Sequence, residues 1–413
     1  MTQTETRAAR VPAFNRLWAA ETLSVLGQQV ALLALPLIAA VTLNATPAQM
    51  GLLVAFETAP LLLISLLAGV WIDRRPRRPV MVWADVGRAA ALLVLPLAAL
   101  AGVLRLELLY AVAFAIGTLS VLFNVAYQAL LPDLVPRAAL TDANSKLETS
   151  RSGAEVLGPG LGGMLIGAVG NLAAVWLNIL TFVASAAFLS GIRTAEHVAP
   201  AQTPAPLLAG LREGLRYVWT HPLIRPLVLC AATLNLAQGL LDAVLVLHLS
   251  RGLGLTPAQI GLVYMGGNVG FVLGALLSEK AAAGLGLGWA ALLSALVAGV
   301  GLLLVPASTL LGDFAVPGLM LARLLFGLGA VVFSVQHVSL RQAITPRELQ
   351  GRMHASVRFF AGGIVPLGAL LGGLVGQRFG APAALLVAGV VGFAAWLWLW
   401  RTGVPGVRSA DLA

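Results

Sequence analysis

Cysteine and charge are what this chain has least of. Cys230 is the single cysteine in 413 residues. One thiol cannot form an internal disulfide or build a cysteine-ligated metal site. Charged residues make up 10% of the sequence, against about 25% in an ordinary soluble domain. Such a chain lacks the polar surface that a water-soluble globule needs. The five histidines are scattered, and no HExxH, Walker or GxSxG pattern occurs. The usual metallohydrolase, nucleotide-hydrolase and serine-hydrolase signatures are therefore missing. No metal and no cofactor is expected.

What is abundant is apolar sequence. Hydrophobic residues are 59% of the total, and they fall in repeated runs of about eighteen or more residues, the length that crosses a bilayer as a helix. The runs read as twelve spans: 17–43, 51–72, 80–104, 108–131, 147–168, 171–191, 226–250, 259–278, 285–306, 314–340, 352–376 and 381–400. Spans 5 and 6 nearly fuse at Gly167–Asn171, and spans 11 and 12 at Gly376–Ala381. Arg7, Arg10 and Arg16 precede a run too long for a signal peptide, so it reads as an uncleaved first span.

The net charge is +9. Nucleic acid is not the reading, because the excess is sorted by loop. One side of the membrane collects Arg7, Arg10, Arg16, Arg137, Lys146, Arg193, Arg212, Arg216, Arg225, Lys280, Arg341, Arg347, Arg352, Arg401 and Arg408, together with four arginines between spans 2 and 3. The other side holds Arg105, Arg251 and Arg378. Short basic loops stay cytoplasmic, which predicts a multi-pass protein of the cell (inner) membrane with both termini in the cytoplasm. Trp396, Trp398 and Trp400 read as an interfacial belt at the end of the last span.

The longest non-membrane stretch, 192–225, divides six spans from six. Leu208, Leu211, Leu215 and Val218 within it fall at helical spacing, which predicts a short amphipathic helix on the cytoplasmic surface. The halves on either side match. Thr46-Pro-Ala-Gln-Met-Gly51 recurs as Thr256-Pro-Ala-Gln-Ile-Gly261, Pro136-Arg137 as Pro346-Arg347, and Gly162-Gly163 as Gly372-Gly373, each 210 residues on. A six-span unit repeated in one orientation is the pattern of transporters that bind substrate between two bundles. The fold class is thus all-α and integral to the membrane. Its twelve transmembrane helices form two pseudo-symmetric six-helix bundles, 1–191 and 226–413, joined by the linker.

The loop Gly69-Val-Trp-Ile-Asp73-Arg74-Arg75-Pro76-Arg77-Arg78 completes the picture. It resembles the G-x-L-a-D-R-x-G-R-[RK] motif of the major facilitator superfamily. Gly69, Asp73, Arg74, Arg77 and Arg78 match, while Trp71 and Pro76 depart from it. The run Arg212–Arg225 is similar to the exporter branch that includes macrolide-efflux and enterobactin-exporter proteins. Gly158, Pro159, Gly162 and Gly163 resemble that superfamily's antiporter motif, with Ala154 in place of its first glycine. The resemblance implies two bundles meeting through spans 5 and 8 and through spans 2 and 11. It also implies glycine faces there (Gly266, Gly270, Gly274; Gly368, Gly372, Gly376) that let the bundles rock. Asp73 would then approach Arg352 or Arg358 and latch the cytoplasmic side.

Ionisable groups inside spans cost about 2.5–3.5 kcal/mol each at the helix centre, so they are the candidates for function. Asp85 and Arg88 lie three apart and read as a structural pair beside the loop motif. Asp242 and Arg323 sit at similar depth in spans 7 and 10 and read as a second pair. Glu148 and Arg358 are equivalents, 210 apart. Glu21, Glu57 and Glu155 have no evident partner and are the proton-coupling candidates. Span 4 offers Asn124 and Gln128 where proton-driven drug antiporters often carry arginine. The reading is a monomeric secondary transporter, not an enzyme, that exports amphipathic small molecules by proton antiport. Its partners are a small-molecule substrate, protons and the lipid bilayer, with no nucleic acid. Alternatives are a dedicated exporter of one endogenous product such as a siderophore or antibiotic, a nutrient importer, or a non-transporting membrane protein. The loop around Glu279-Lys280 has lost the basic cluster, so Asp73→Asn is expected to lower dye efflux more than any substitution at Glu279, measured side by side at matched expression.

Overall fold

The computed structural model describes residues 8, 11–72, 74–193 and 207–407. Asp73 lies outside them. The described chain is helical from end to end, as backbone in hydrocarbon must be when no water can satisfy its polar groups. The helices are α1 (Pro12–Leu37), α2 (Pro47–Ile72), α3 (Arg77–Leu100), α4 (Leu106–Leu134), α5 (Leu140–Val169) and α6 (Asn171–Ser190). Then come α7 (Leu207–Thr220), α8 (Ile224–Leu247), α9 (Pro257–Leu285), α10 (Leu287–Ser308) and α11 (Ala315–Ile344). The chain closes with α12 (Arg347–Val357), α13 (Gly363–Phe379), α14 (Ala381–Ala394) and α15 (Leu397–Trp400). Among the described residues, eleven helical segments are long and apolar enough to cross a membrane. The sequence predicts twelve. The one missing from the eleven is α5, which carries Asp142, Lys146, Glu148, Arg151 and Glu155 on its way to the glycine-rich half.

Two compact units emerge, Met1–Asn44 with Phe56–Thr203, and Ala45–Ala55 with Pro204–Ala413. In the first, α1 packs on α5 and α6, and α3 on α4 and α6. In the second, α8 packs on α13 and α14, and α10 on α11 and α14. The pairings are the same, and so are the element positions 210 residues apart. Pro47 and Pro257 begin α2 and α9, and π-helical turns close α1 at Ile38–Thr42 and α8 at His248–Gly252. Gly170 and Gly380, both at φ 87°, form the one-residue corners α5–α6 and α13–α14. An L side chain rarely adopts that φ, so glycine resolves the two near-fused boundaries of the sequence reading. The repeat is broken at α5, an unbroken α-helix whose counterpart is interrupted by a third π turn, Arg358–Gly362.

The loop arginines brace the first unit. Arg77 pairs with Asp133 of α4 at 2.9 Å. Arg78 donates to the Leu189 carbonyl (3.1 Å) and to that of Ser190, and Arg16 donates to Gly191. Three carbonyls at the end of α6 thereby meet cationic donors, where the helix dipole favours them.

The linker helix differs from expectation in what it covers. Of its apolar positions, Val218 is 2% exposed and packs with Met353, Val357 and Ala361 of the second unit. Glu213 pairs with Arg352, the Tyr217 hydroxyl donates to the Ile344 carbonyl (3.2 Å), and Trp219 meets Phe360 edge-on. Protein occupies this face, because α12 extends beyond the apolar run and offers it a partner. His221 then starts α8. Its Nδ1 accepts from the Leu223 and Ile224 N–H groups (3.3 and 3.4 Å), and burial holds the imidazole below its ordinary range, in the neutral form that can accept.

The glycine stripes differ from expectation in part. That of α9 lies against α11 of its own unit, where Gly274 would put a Cβ 2.6 Å from the Leu328 carbonyl. That of α13 sets Gly372 against the Leu240 carbonyl of α8, but Gly376 lies between Val244 of α8 and Pro47 of α2, and Gly51 of α2 would drive a Cβ into the Ala369 carbonyl of α13, so the expected meeting of spans 2 and 11 is present. Gly158 and Gly162 lie against Gln29 and Val30 of α1. These glycines set packing distance within a unit. Gly372→Leu should therefore destabilise the fold by about 1–3 kcal/mol, read as a lower melting temperature. Gly153→Ala, which meets nothing within 4 Å, should leave it unchanged. Cys230, fully buried, supplies the reporter thiol for a fluorogenic maleimide melt.

Candidate functional site

The charged residues of the first unit gather around Glu21 on α1. Glu21 is 3% exposed, and its Oε2 has no hydrogen-bond partner. The charges acting on it are Arg151, Arg88, Asp85 and Glu155. α3 supplies the inner pair. Asp85 and Arg88 are both fully buried and form a direct ion pair one helical turn apart. The Ser185 hydroxyl of α6 stands 2.6 Å from Asp85 Oδ2 and 2.9 Å from the Ala20 carbonyl, so it ties α3, α6 and α1 together. Arg88 is also held by its faces. Phe123 and Phe182 each place a ring centroid 4.5 Å from its Cζ. A desolvated guanidinium between two rings gains about 2 kcal/mol or more from the ring quadrupoles. Arg88 Nε still has no acceptor, and Nη1 reaches Ser120 at a long 3.5 Å.

α5 supplies the outer pair. Arg151 Nε donates to Glu155 Oε1 at 2.9 Å, both side chains 42% exposed. The sequence reading leaves Glu155 without a partner; it has one, four residues back on its own helix. Arg151 was missed altogether, though Arg-x-x-x-Glu is a spacing that brings side chains together. Tyr127 of α4 belongs to the same group, with Glu21, Arg151 and Glu148 acting on its hydroxyl. Positive charge thus reaches Glu21 from α3 and α5, while α4 presents its tyrosine. Glu57 is placed elsewhere. It is half-buried on α2, where Gly117 of α4 closes on its backbone carbonyl, and it is not among the charges acting on Glu21.

The second unit holds the other expected pair in a different form. Asp242 accepts two contacts of 2.8 Å from Gln238 Nε2, and Gln238 Oε1 lies 3.4 Å from Arg323 Nη1. The amide bridges acid and base, and no direct ion pair forms. Arg323 is 6% exposed, stands 5.3 Å from the Tyr264 ring centroid and 5.5 Å from that of Phe326, and has an Nε without a partner. Asp242 and Arg323 still act on each other electrostatically. Arg358 heads the π turn and makes no ion pair among the described residues, and Arg352 is committed to Glu213. No cluster of three or more metal-ligating side chains occurs among the described residues.

Two units of matched helices, with ionisable groups enclosed in each, are what a solute carrier requires. A family profile described as transmembrane secretion effector matches residues 6–413. The chain belongs to this family of major facilitator transporters. It is a membrane transporter and not an enzyme. The multidrug efflux pump Tap of Mycolicibacterium fortuitum is 27% identical over 376 residues, covering 86% of this transporter and 87% of Tap. Tap of Mycobacterium tuberculosis (strain ATCC 25618 / H37Rv) is 27% identical over 418 residues, covering 98% and 96%. Among solved structures, a point mutant of the nucleoside transporter NupG aligns with a TM-score of 0.77 at 12% identity, covering 94% of this transporter and 100% of NupG. A bacterial homologue of the iron transporter ferroportin in its inward-facing state aligns with a TM-score of 0.70 at 21% identity, covering 94% and 99%. These neighbours share the fold.

The buried pair of this transporter is expected to be structural. Removing one member leaves a buried unpaired charge, which costs about 3–5 kcal/mol. Arg88→Met should lower the melting temperature sharply, and adding Asp85→Asn to it should restore most of the loss. The check is a thermal melt of both variants in the same detergent.

Proposed function

We propose that this transporter exports amphipathic small molecules by proton antiport, with access alternating between the two membrane faces. The observation that carries the reading is Glu21, enclosed on α1 with an unpartnered carboxylate oxygen among two arginines and two acids. When such a group gains or loses a proton, the charge of the whole cluster changes by one. Any movement that re-wets it is thereby linked to protonation. The buried Asp85–Arg88 pair supplies a fixed setting against which that change is felt, and the exposed Arg151–Glu155 pair supplies a partner that can rearrange. The direction of transport takes its support from the relatives that are named multidrug efflux pumps. The orientation takes its support from the sorting of arginine, with Arg77, Arg78 and both termini at the cytoplasmic face. The transporter acts as a monomer of the cell membrane, and its partners are the substrate and protons.

Ethidium accumulation tests this in an efflux-deficient host. Cells with the wild-type protein should hold less dye than cells without it, and an uncoupler should erase the difference. Glu21→Gln should reduce gradient-driven efflux about tenfold or more at equal expression, while exchange of labelled for unlabelled substrate in gradient-free proteoliposomes continues. Normal gradient-driven efflux by Glu21→Gln would remove Glu21 from the coupling step.

A further inference from the structure

The second unit contains a cavity of about 480 Å³ that proton coupling at Glu21 does not use, a volume within the range of small-molecule sites. Part of its wall is apolar, with Leu234, Phe326 and Phe333. Its ionisable lining is basic in type, two arginines and two histidines (His337, Arg341, His354 and Arg358), with no acidic side chain among the lining residues.

The buried members of this group are left short of partners. Arg341 is 4% exposed. Its Nε donates to the His337 carbonyl at 3.2 Å and its Nη1 approaches Met353 Sδ at 3.7 Å, while Nη2 has no acceptor among the described residues. No carboxylate among the described residues pairs with it. His337 is 5% exposed and stacks on Phe333 at 5.3 Å, and its Nε2 has no hydrogen-bond partner. A buried cation without a counter-charge is unfavourable unless something supplies one.

The helices themselves do not call for these charges. The positions 210 residues earlier are Tyr127, Leu131, Asn144 and Glu148, carried by the equivalent helices of the first unit with no cation among them. The π turn at Arg358–Gly362 is likewise confined to this half. Turns of this kind recur at functional sites. Here the turn lines the cavity through Arg358, Ala361 and Gly362, and Asn235 Nδ2 satisfies the Ala361 carbonyl at 2.7 Å.

We infer that this cavity binds the carboxylate of an amphipathic organic acid. Arg341 and Arg358 take the oxygens, His337 Nε2 supplies a further hydrogen bond, and Phe326 and Phe333 receive the apolar body. Charge-assisted hydrogen bonds to a carboxylate are the strong ones, and guanidinium matches it in shape. The inference deepens the export reading, on which it rests for the site's purpose: amphipathic acids and zwitterions are added to the cargo by this cavity.

Binding can be measured without any gradient, so its result is independent of the Glu21 experiment. The full chain in lipid nanodiscs is titrated with pyrenebutyrate and with its uncharged methyl ester, and empty nanodiscs are subtracted. The acid should bind the wild type about tenfold more tightly than the ester. Arg341→Gln should bring the two within about twofold, through loss of acid affinity alone. Arg358→Gln alters an exposed side chain. It should narrow the gap in the same direction, and it decides the matter if Arg341→Gln fails to elute as a folded monomer. Equal affinity of acid and ester for the wild type overturns the inference. So does a gap left untouched by the folded arginine variants.

Discussion

Lipid offers a helix no hydrophobic reason to leave it for another helix. What holds these bundles is close approach, and close approach is made by glycine. Gly239 and Gly368 face each other between α8 and α13, and Gly301 and Gly329 let α10 and α11 close until a Cβ would overlap a backbone carbonyl. Dispersion and main-chain contact at such short range replace the drive that water gives a soluble core. The polar features are positioned by this scaffold. Arg88 lies between two rings because α3, α4 and α6 are pressed together around it, and His337 and Arg341 are enclosed because α11 is clasped by α9 and α10.

On that common scaffold the halves divide their charges. In the first unit Glu21, Asp85, Arg88, Arg151 and Glu155 form one mixed cluster. The positions 210 residues later are Ala231, Ala295, Ala298, Ala361 and Val365, all without charge. In the second unit His337, Arg341 and Arg358 stand where the first has tyrosine, leucine and glutamate, and the two arginines carry positive charge. The duplicated backbone carries two different chemistries. On the reading proposed above, one half handles a proton and the other holds an anion, so the two sites do not compete for the same ion.

The fold was legible because a membrane makes it so. Long apolar runs leave helices as the only outcome, and three peptide matches at one spacing expose the repeat. The site was less legible. Asp85 and Arg88 were readable as a pair because both partners sit on one turn. Glu155 was misread as lone because Arg151, four residues back within the same span, was passed over. Asp242 and Arg323 fell short of a direct bridge because Gln238, an uncharged residue, stands between them. The glycine stripes showed where close packing occurs but not which neighbour each stripe meets, because every face of a buried helix is apolar. The partner becomes visible once the bundle is assembled.

The π turns carry a chronology. Two of them, Ile38–Thr42 and His248–Gly252, occupy the same place in each copy. A feature common to both copies of a duplicated unit was present before the copying. The third, Arg358–Gly362, has a straight α-helix opposite it, so it was gained or lost in one copy only, after the halves began to diverge. The helix that lines the cationic cavity therefore departs from its twin in backbone as well as in side chains.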